Sequence, residues 1–268
     1  MATAPKWFEG PVMPTVDGRT IDYQETGEGP AVLFLPGSFS TPAAWRAVQN
    51  HLPHGYRFVG TSLCGYGGTA ETRTRDDPGM AHQVRIVETV AKHIAAPVHL
   101  VGHSFGGAVA LASALAGTID ILSIATFEAS PIFLLRDHRR PDLLAELRRM
   151  SDAFEIAHDA GEPEAAKRVI DFWGGDGSFD AMPDALKDYC RTTTSSNVLD
   201  WRTGYTFEAS AADYAQLDIP VLLVRGARAN SAMVNITETL IANLPDVRMA
   251  AVNGASHFLI TTHAEDCA

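Results

Sequence analysis

The chain has few cysteines, no excess of positive charge and no apolar run long enough to span a membrane. Its three cysteines, Cys64, Cys190 and Cys267, are far apart, odd in number and without C-x-x-C spacing. This usage is typical of reduced thiols and argues against a disulfide framework or a zinc site. We therefore expect all three thiols to be structural.

Positive charge is too scarce for a polyanionic partner. Lys and Arg total 21 against 32 Asp and Glu, which gives a formal net charge of −11. Arginines do cluster in residues 136–149, but acidic residues are interleaved with them, as on a solvated helix face. We therefore expect a small-molecule substrate, with neither nucleic acid nor a membrane as partner, and a monomer or homodimer.

Targeting and cofactor motifs are also missing. Residues 1–7, MATAPKW, lack the cationic start and apolar core of a signal peptide. No apolar run approaches the length of about 20 residues that spans a bilayer. Residues 65–68, Gly-Tyr-Gly-Gly, lack the G-x-G-x-x-G spacing, and no Walker loop is present. These absences predict a cytoplasmic protein with no metal and no cofactor.

Strand and helix signals alternate along most of the chain. Residues 12–16 and 19–26 flank Asp17-Gly18, which predicts an antiparallel hairpin. Apolar runs typical of buried strands follow, and helical spacing separates several of them. The runs lie at residues 31–35, 98–101, 119–127, 221–225 and 247–252. This order predicts an α/β fold with a mostly parallel sheet flanked by helices.

The strand rhythm stops once, from residue 131 to about residue 217. Helical segments near 143–158, 163–173 and 183–194 replace it. We therefore predict a core domain of residues 1–130 and 218–268, interrupted by a helical insertion over 131–217.

A serine lies where a strand turns sharply into a helix. Residues 98–101 predict a buried strand and residues 108–115 a helix, and residues 102–106 between them read G-H-S-F-G. This is a G-x-S-x-G motif in the strand–turn–helix setting that it requires. The strained turn presents the Ser104 hydroxyl at a helix N-terminus, which favours negative charge. The alternative is that these residues form a tightly packed turn with no catalytic role.

With this motif the chain resembles the α/β-hydrolase superfamily, including its esterases, C–C hydrolases and acyl-transfer enzymes. The resemblance implies that the insertion is a helical cap and that residues 65–68 are a structural turn beside the pocket. It also implies a triad in the order Ser, acid, His. His257 follows the last predicted strand in a segment that resembles the family's G-x-x-H, so we expect it to be the base. His263 is the second candidate, and His103 is expected to pack under the elbow.

The acid departs from the family's commonest position. Residues 226–231, after the strand at 221–225, contain no carboxylate. Glu128 follows the strand after the elbow, where some members, including certain haloalkane dehalogenases, place their acid. We therefore expect Glu128 to orient His257. Two alternatives stay open: Glu128 forms a salt bridge at the cap hinge and the Asn230 amide orients the imidazole, or the triad has no third member.

The resemblance also implies an oxyanion hole made by the backbone N–H groups of Ser38 and Phe105. Ser38 belongs to L-P-G-S, residues 35–38, which matches the family's H-G-x region with proline in place of histidine. The insertion is rich in large apolar groups, a few of which should complete an apolar pocket. The expected pocket residues are Phe39, Phe133, Trp173 and Met182.

Together these features predict a cofactor-independent serine hydrolase. Ser104, His257 and Glu128 would cleave a small, fairly apolar ester or related carbonyl compound through an acyl-enzyme. A C–C bond hydrolase, lyase or acyltransferase on the same triad is one alternative. A non-catalytic ligand-binding protein on the hydrolase scaffold is another. A serine nucleophile in place of an aspartate argues against a dehalogenase or an epoxide hydrolase.

Overall fold

The computed structural model describes residues 13–16, 18–137 and 140–268. Most strands in these residues form one seven-stranded sheet, and a separate two-stranded pair precedes it in the chain. The strands, in chain order, are β1 (Met13–Val16), β2 (Arg19–Ile21), β3 (Gln24–Thr26), β4 (Ala31–Leu35), β5 (Arg57–Gly60), β6 (Val98–His103), β7 (Ile121–Phe127), β8 (Val221–Gly226) and β9 (Val247–Val252).

The large sheet is parallel except at one edge. Its strand order is β3-β5-β4-β6-β7-β8-β9. β3 runs antiparallel to β5, and each remaining pair of neighbours is parallel. Parallel neighbours need crossover connections, which helices supply. The predicted α/β fold class with a mostly parallel sheet is therefore confirmed.

Helices provide the crossovers and also fill the gap in the strand rhythm. A 3-10 turn, Pro42–Trp45, precedes the first of them, and the Thr41 hydroxyl caps this turn. In the described residues the α-helices are α1 (Arg46–Gln49), α2 (Ala81–Ile94), α3 (Phe105–Ala116), α4 (Leu134–Asp137), α5 (Pro141–Asp159), α6 (Lys167–Gly174), α7 (Asp184–Thr192), α8 (Thr194–Thr206), α9 (Ala211–Tyr214), α10 (Ser231–Asn243) and α11 (Leu259–Thr262).

Strand β4 shows why a continuous apolar run becomes a central strand. All five of its residues are buried. Leu33 and Leu35 join one core cluster, whereas Val32 and Phe34 join a second. Successive side chains of a strand point to opposite faces, so a strand covered on both faces must be apolar throughout. The sheet therefore has a hydrophobic core on each side.

The N-terminal pairing differs in part from the predicted hairpin. β1 and β2 do pair antiparallel, with Met13 opposite Ile21. The run predicted over 19–26 is split, however, and β3 pairs with β5 in the large sheet instead. Val12 and Asp17, at the end of the first predicted strand and in the predicted turn, lie outside the described residues.

Between β7 and β8, the described residues form helices and no strand. Helices α5, α6 and α7 correspond to the three predicted helical segments. Helix α8 was not predicted, because residues 196–200 are buried in succession and no one-sided apolar spacing marks it. We refer to residues 131–217 as the insertion. No helix in the described part of the chain has the length and apolar composition needed to cross a bilayer.

Candidate active site

Ser104 occupies a strained turn between β6 and α3. Its φ of 52° and ψ of −121° lie in a region that residues other than glycine seldom adopt. The backbone holds it there, because the Ser104 N–H donates to the Phe127 carbonyl at 2.9 Å. Steric clashes exclude any larger residue at the two neighbouring glycines. A Cβ on Gly106 would lie 2.3 Å from the Pro36 carbonyl oxygen, and one on Gly102 would lie 2.5 Å from the Gly106 carbonyl oxygen. The turn therefore presents the serine beside the loop after β4.

The predicted base and acid meet at this serine. His257 Nε2 lies 2.9 Å from Ser104 Oγ, and His257 Nδ1 lies 2.7 Å from Glu128 Oε2. His257 and Glu128 are 2% and 1% exposed, so solvent competes little for these bonds. An ionised carboxylate only accepts, so Nδ1 carries the proton and Nε2 is free to accept from the serine hydroxyl. This is the arrangement in which an imidazole can remove the serine proton.

Glu128 is held from two sides at the end of β7. Its Oε1 accepts the Gly226 N–H at 2.8 Å, and its own N–H donates to the Val224 carbonyl at 2.8 Å. Burial acts to raise the pKa of Glu128, but the hydrogen bonds from His257 and Gly226 and the charge of His257 outweigh it. They hold the pKa of Glu128 below its ordinary value of 4.5. The carboxylate is therefore kept ionised against the imidazole.

The alternative residues lie elsewhere. Asn230 is the N-cap of α10: its Oδ1 accepts the Ala232 N–H at 2.9 Å, and its Nδ2 reaches the Phe172 carbonyl at 3.5 Å. His263 Nδ1 lies 2.9 Å from the Thr262 hydroxyl, outside the group around Ser104. The structure thus brings Glu128 to His257 and leaves Asn230 to cap a helix.

His103, the second residue of the motif, packs against His257. Its Nε2 donates to the His257 carbonyl at 2.9 Å, and its ring centroid lies 5.0 Å from that of His257. Burial, together with the charge of His257, lowers the pKa of His103 to about 3. The ring is therefore neutral and acts as a fixed support, in the packed position that the sequence predicts.

The loop after β4 lies against Ser104. A Cβ on Gly37 would lie 2.8 Å from His103 Nδ1 and 3.2 Å from Ser104 Cβ, so the backbone there touches the elbow. Phe105 is the first residue of α3, where an N–H has no partner within the helix. Ser38 and Phe105, the two expected oxyanion donors, line the same cavity as Ser104.

That cavity measures about 70 Å³ and lies between the sheet loops and the insertion. Trp173 from α6 lines it, and its ring stacks on the His257 ring with centroids 5.1 Å apart. Trp201 from α8 lies parallel to Trp173, with centroids 6.1 Å apart. Ser130, Asn197 and Asp200 supply polar lining. The site is thus small, aromatic and polar on one side.

Two of the four expected pocket residues line the cavity and two do not. Phe39 and Trp173 line it. Met182 instead packs against the Phe179 cluster, and Phe133 has the Arg136 guanidinium 5.3 Å from its ring centre. Phe133 and Met182 lie outside the helices, before α4 and α7, so helical spacing does not describe the positions of their side chains.

Sequence reasoning missed one group of buried polar residues beside the cavity. Asp200 accepts hydrogen bonds from Tyr66 at 2.7 Å and from Arg73 at 2.8 Å. Asp200 lies on the unpredicted helix α8, and Tyr66 lies in the stretch expected to be only a structural turn. The one signal in the sequence is an aromatic residue, Tyr66, between two glycines, but its partner Asp200 lies 134 residues further along the chain.

Comparisons with known proteins bear on the family and the fold. A model described as "Alpha/beta hydrolase family" matches residues 32–268. The chain is 26% identical over 252 residues to a pimeloyl-[acyl-carrier protein] methyl ester esterase of Aromatoleum aromaticum, spanning 89% of this chain and 95% of that protein. It is 24% identical over 272 residues to a fluoroacetate dehalogenase of a Burkholderia species, spanning 93% and 88%. An esterase from Exiguobacterium antarcticum shares the fold, with a TM-score of 0.75 at 18% identity over 94% of each chain.

Proposed function

The chain belongs to the alpha/beta hydrolase family, and we propose that it is a serine hydrolase that cleaves small, fairly apolar esters through an acyl-enzyme. One observation supports this above all: Ser104, His257 and Glu128 form a continuous hydrogen-bonded series of 2.9 and 2.7 Å. The esterase and dehalogenase relatives support hydrolysis as the reaction class. A hydroxyl nucleophile favours acyl transfer over the aspartyl-ester chemistry of dehalogenases and epoxide hydrolases.

In the proposed mechanism, Ser104 Oγ bonds to the substrate carbonyl carbon while its proton passes to His257 Nε2. Glu128 stabilises the imidazolium that results. The backbone N–H groups of Ser38 and Phe105 bind the oxyanion. The carbon–oxygen bond to the alcohol then breaks, and the alcohol leaves with the proton from Nε2. Water attacks the acyl-enzyme with His257 again as base, which releases the acid and restores Ser104.

The size and lining of the cavity limit the substrate. Pockets for drug-sized ligands measure about 300–1,000 Å³. The cavity here is about 70 Å³ and is bounded by Phe39, Trp173 and Trp201, which fits a short apolar acyl group. The Aromatoleum aromaticum relative is a methyl ester esterase, which agrees with a small leaving alcohol. In this proposal the insertion, residues 131–217, serves as the cap of the site.

A fluorophosphonate probe tests the nucleophile directly. We expect it to label the wild type, and we expect Ser104→Ala to lose both labelling and about 10⁴ to 10⁶ of the turnover of a p-nitrophenyl ester. Ser113→Ala is the matched control, because this serine lies on the same helix and bonds to the Val109 carbonyl, away from the site. A folded wild type that resists the probe would reject the enzyme and favour a ligand-binding protein.

A panel of p-nitrophenyl esters tests the substrate class. We expect kcat/KM to be highest for acyl chains of a few carbons and to fall as the chain outgrows the cavity. Rising kcat/KM up to long chains would contradict the proposed size limit. Probe labelling without ester turnover would instead direct the search to diketones and acyl acceptors, the substrates of C–C hydrolases and acyltransferases.

A further inference from the structure

Asp200 on α8 is a buried carboxylate with a complete set of donors. It is 4% exposed and lines the catalytic cavity. Its Oδ2 accepts from the Ser38 hydroxyl at 2.5 Å, the Tyr66 phenol at 2.7 Å and the Asn197 amide at 3.5 Å. Its Oδ1 accepts from Arg73 Nη1 at 2.8 Å. The catalytic steps proposed above make no use of this group.

Arg73 supplies the opposite charge beside this carboxyl group. Burial raises the pKa of Asp200 above its ordinary value, and Arg73 is the largest influence that opposes the rise. The Arg73 side chain is itself fully buried, and Glu71 binds its far side at 2.9 and 2.8 Å. Arg73 also donates to the Cys64 carbonyl at 3.2 Å, which ties the pair to the sheet side of the cavity.

The bond to Ser38 fixes a residue of the expected oxyanion hole. The Ser38 hydroxyl donates to Asp200 Oδ2, and this bond sets the direction of the hydroxyl. Tyr66 adds a second restraint, because it donates to the same carboxylate and its oxygen also faces the backbone N–H of Phe39. Phe39 has a φ of 56°, so the loop is strained and needs such contacts to keep its shape.

We propose that Asp200 is a positioning residue for the oxyanion hole, and that it acts by holding the Ser38 hydroxyl so that the Ser38 N–H faces the reacting carbonyl. The inference rests on the proposed function. It also means that the insertion contributes to catalysis and does more than enclose the substrate. Asp200 belongs to the insertion and Ser38 to the loop after β4. The insertion must therefore pack against this loop for the Ser38 N–H to be correctly oriented.

A double-mutant cycle tests this coupling. Ser38→Ala, Asp200→Asn and the double variant are assayed on a short p-nitrophenyl ester, with kcat and KM measured separately. We expect each single change to lower kcat about 10- to 100-fold, the range for misplacing an oxyanion donor, with much less change in KM. The double variant should be no slower than the slower single variant, because both changes break the same bond.

The affinity for a boronic acid, which forms a tetrahedral adduct on the serine, should fall in parallel with kcat. Glu71→Gln is the control: it loosens Arg73 on the side away from Ser38, so stability should fall while kcat stays within about threefold. Losses at Ser38 and Asp200 that simply multiply in the double variant would overturn the inference, as that is the result expected of a merely structural aspartate.

Asp200→Asn removes one of the two carboxylates that pair with the buried Arg73, and the variant can fail to fold. Ser38→Thr and Ser38→Ala then decide, because neither disturbs that pair. Threonine keeps the hydroxyl and should retain most of kcat, whereas wild-type kcat in the alanine variant would reject the inference. The wild type is first treated with the fluorophosphonate probe. If Ser104 is not labelled, both the proposed function and this inference are rejected. If Ser104 is labelled but the kcat losses of Ser38→Ala and Asp200→Asn multiply in the double variant, only this inference is rejected.

Discussion

Replacing Glu128 by glutamine changes one donor–acceptor assignment and leaves the shape of the site intact. The Gly226 N–H, 2.8 Å from Oε1, can only donate, so the glutamine oxygen must stay on that side. The amide NH2 then faces His257 Nδ1 across 2.7 Å and forces that nitrogen to accept. His257 must move its proton to Nε2, which faces the Ser104 hydroxyl at 2.9 Å and can no longer accept from it.

The expected loss follows from this tautomer change. A base that cannot accept the serine proton leaves only oxyanion stabilisation and binding, so kcat should fall about 10⁴-fold, or about 5 kcal/mol of barrier. Glu128→Asp should also be impaired, because the shorter side chain cannot reach the Gly226 N–H and His257 together. KM should change little in either variant, since Glu128 does not line the cavity.

Steady-state kinetics on a short p-nitrophenyl ester measure the effect, with near-UV circular dichroism and the melting temperature as checks on folding. Asn230→Ala is the matched control. It removes a helix cap, so it should lower stability by about 1 kcal/mol and leave kcat within a few-fold. The assignment of Glu128 is refuted if Glu128→Gln keeps more than a tenth of wild-type kcat, or if Asn230→Ala loses more than Glu128→Gln does.

Three further outcomes are expected. Gly106→Ala places a methyl group 2.3 Å from the Pro36 carbonyl oxygen, so kcat should fall at least about 100-fold. Gly68→Ala is the control: its methyl group would make only ordinary van der Waals contacts, so kcat should equal that of the wild type. Trp173→Ala should shift the preferred acyl chain of the ester panel to a greater length, because it enlarges the cavity. It should also lower the free energy of unfolding in urea by about 3–5 kcal/mol. An unchanged preferred chain length would contradict the assignment of Trp173 to the pocket. The pKa of Glu128 is depressed in the folded state, so its stabilisation is present above its ordinary pKa of 4.5 and is lost as pH falls through the lower folded value. Melting temperatures of wild type and Glu128→Gln should therefore converge in acid, and a constant difference would contradict the depressed pKa.

The turn at Ser104 and the parallel sheet could be predicted because their determinants are contiguous. The G-x-S-x-G motif carries its own steric requirement, since Gly102 and Gly106 leave no room for a Cβ. A continuous apolar run, such as the one that forms β4, predicts a strand buried on both faces, and this prediction does not require knowing which strands lie beside it. The N-terminal run over 19–26 was less well predicted, because pairing of β3 with β5 depends on a segment more than 30 residues away.

The amino-acid sequence by itself determined the turn at Ser104 and the fold class, since both follow from local steric and hydrophobic patterns, whereas the proposed order of serine, acid and histidine came from the family resemblance. Only the tertiary structure decided that Glu128 and not Asn230 meets His257, that Phe39 and Trp173 but not Phe133 and Met182 line the cavity, and that α8 brings Asp200 to Ser38. The physical reason is that these contacts depend on strand register and on the rotation of each helix about its axis. Packing between distant segments sets both, and no short stretch of sequence encodes them.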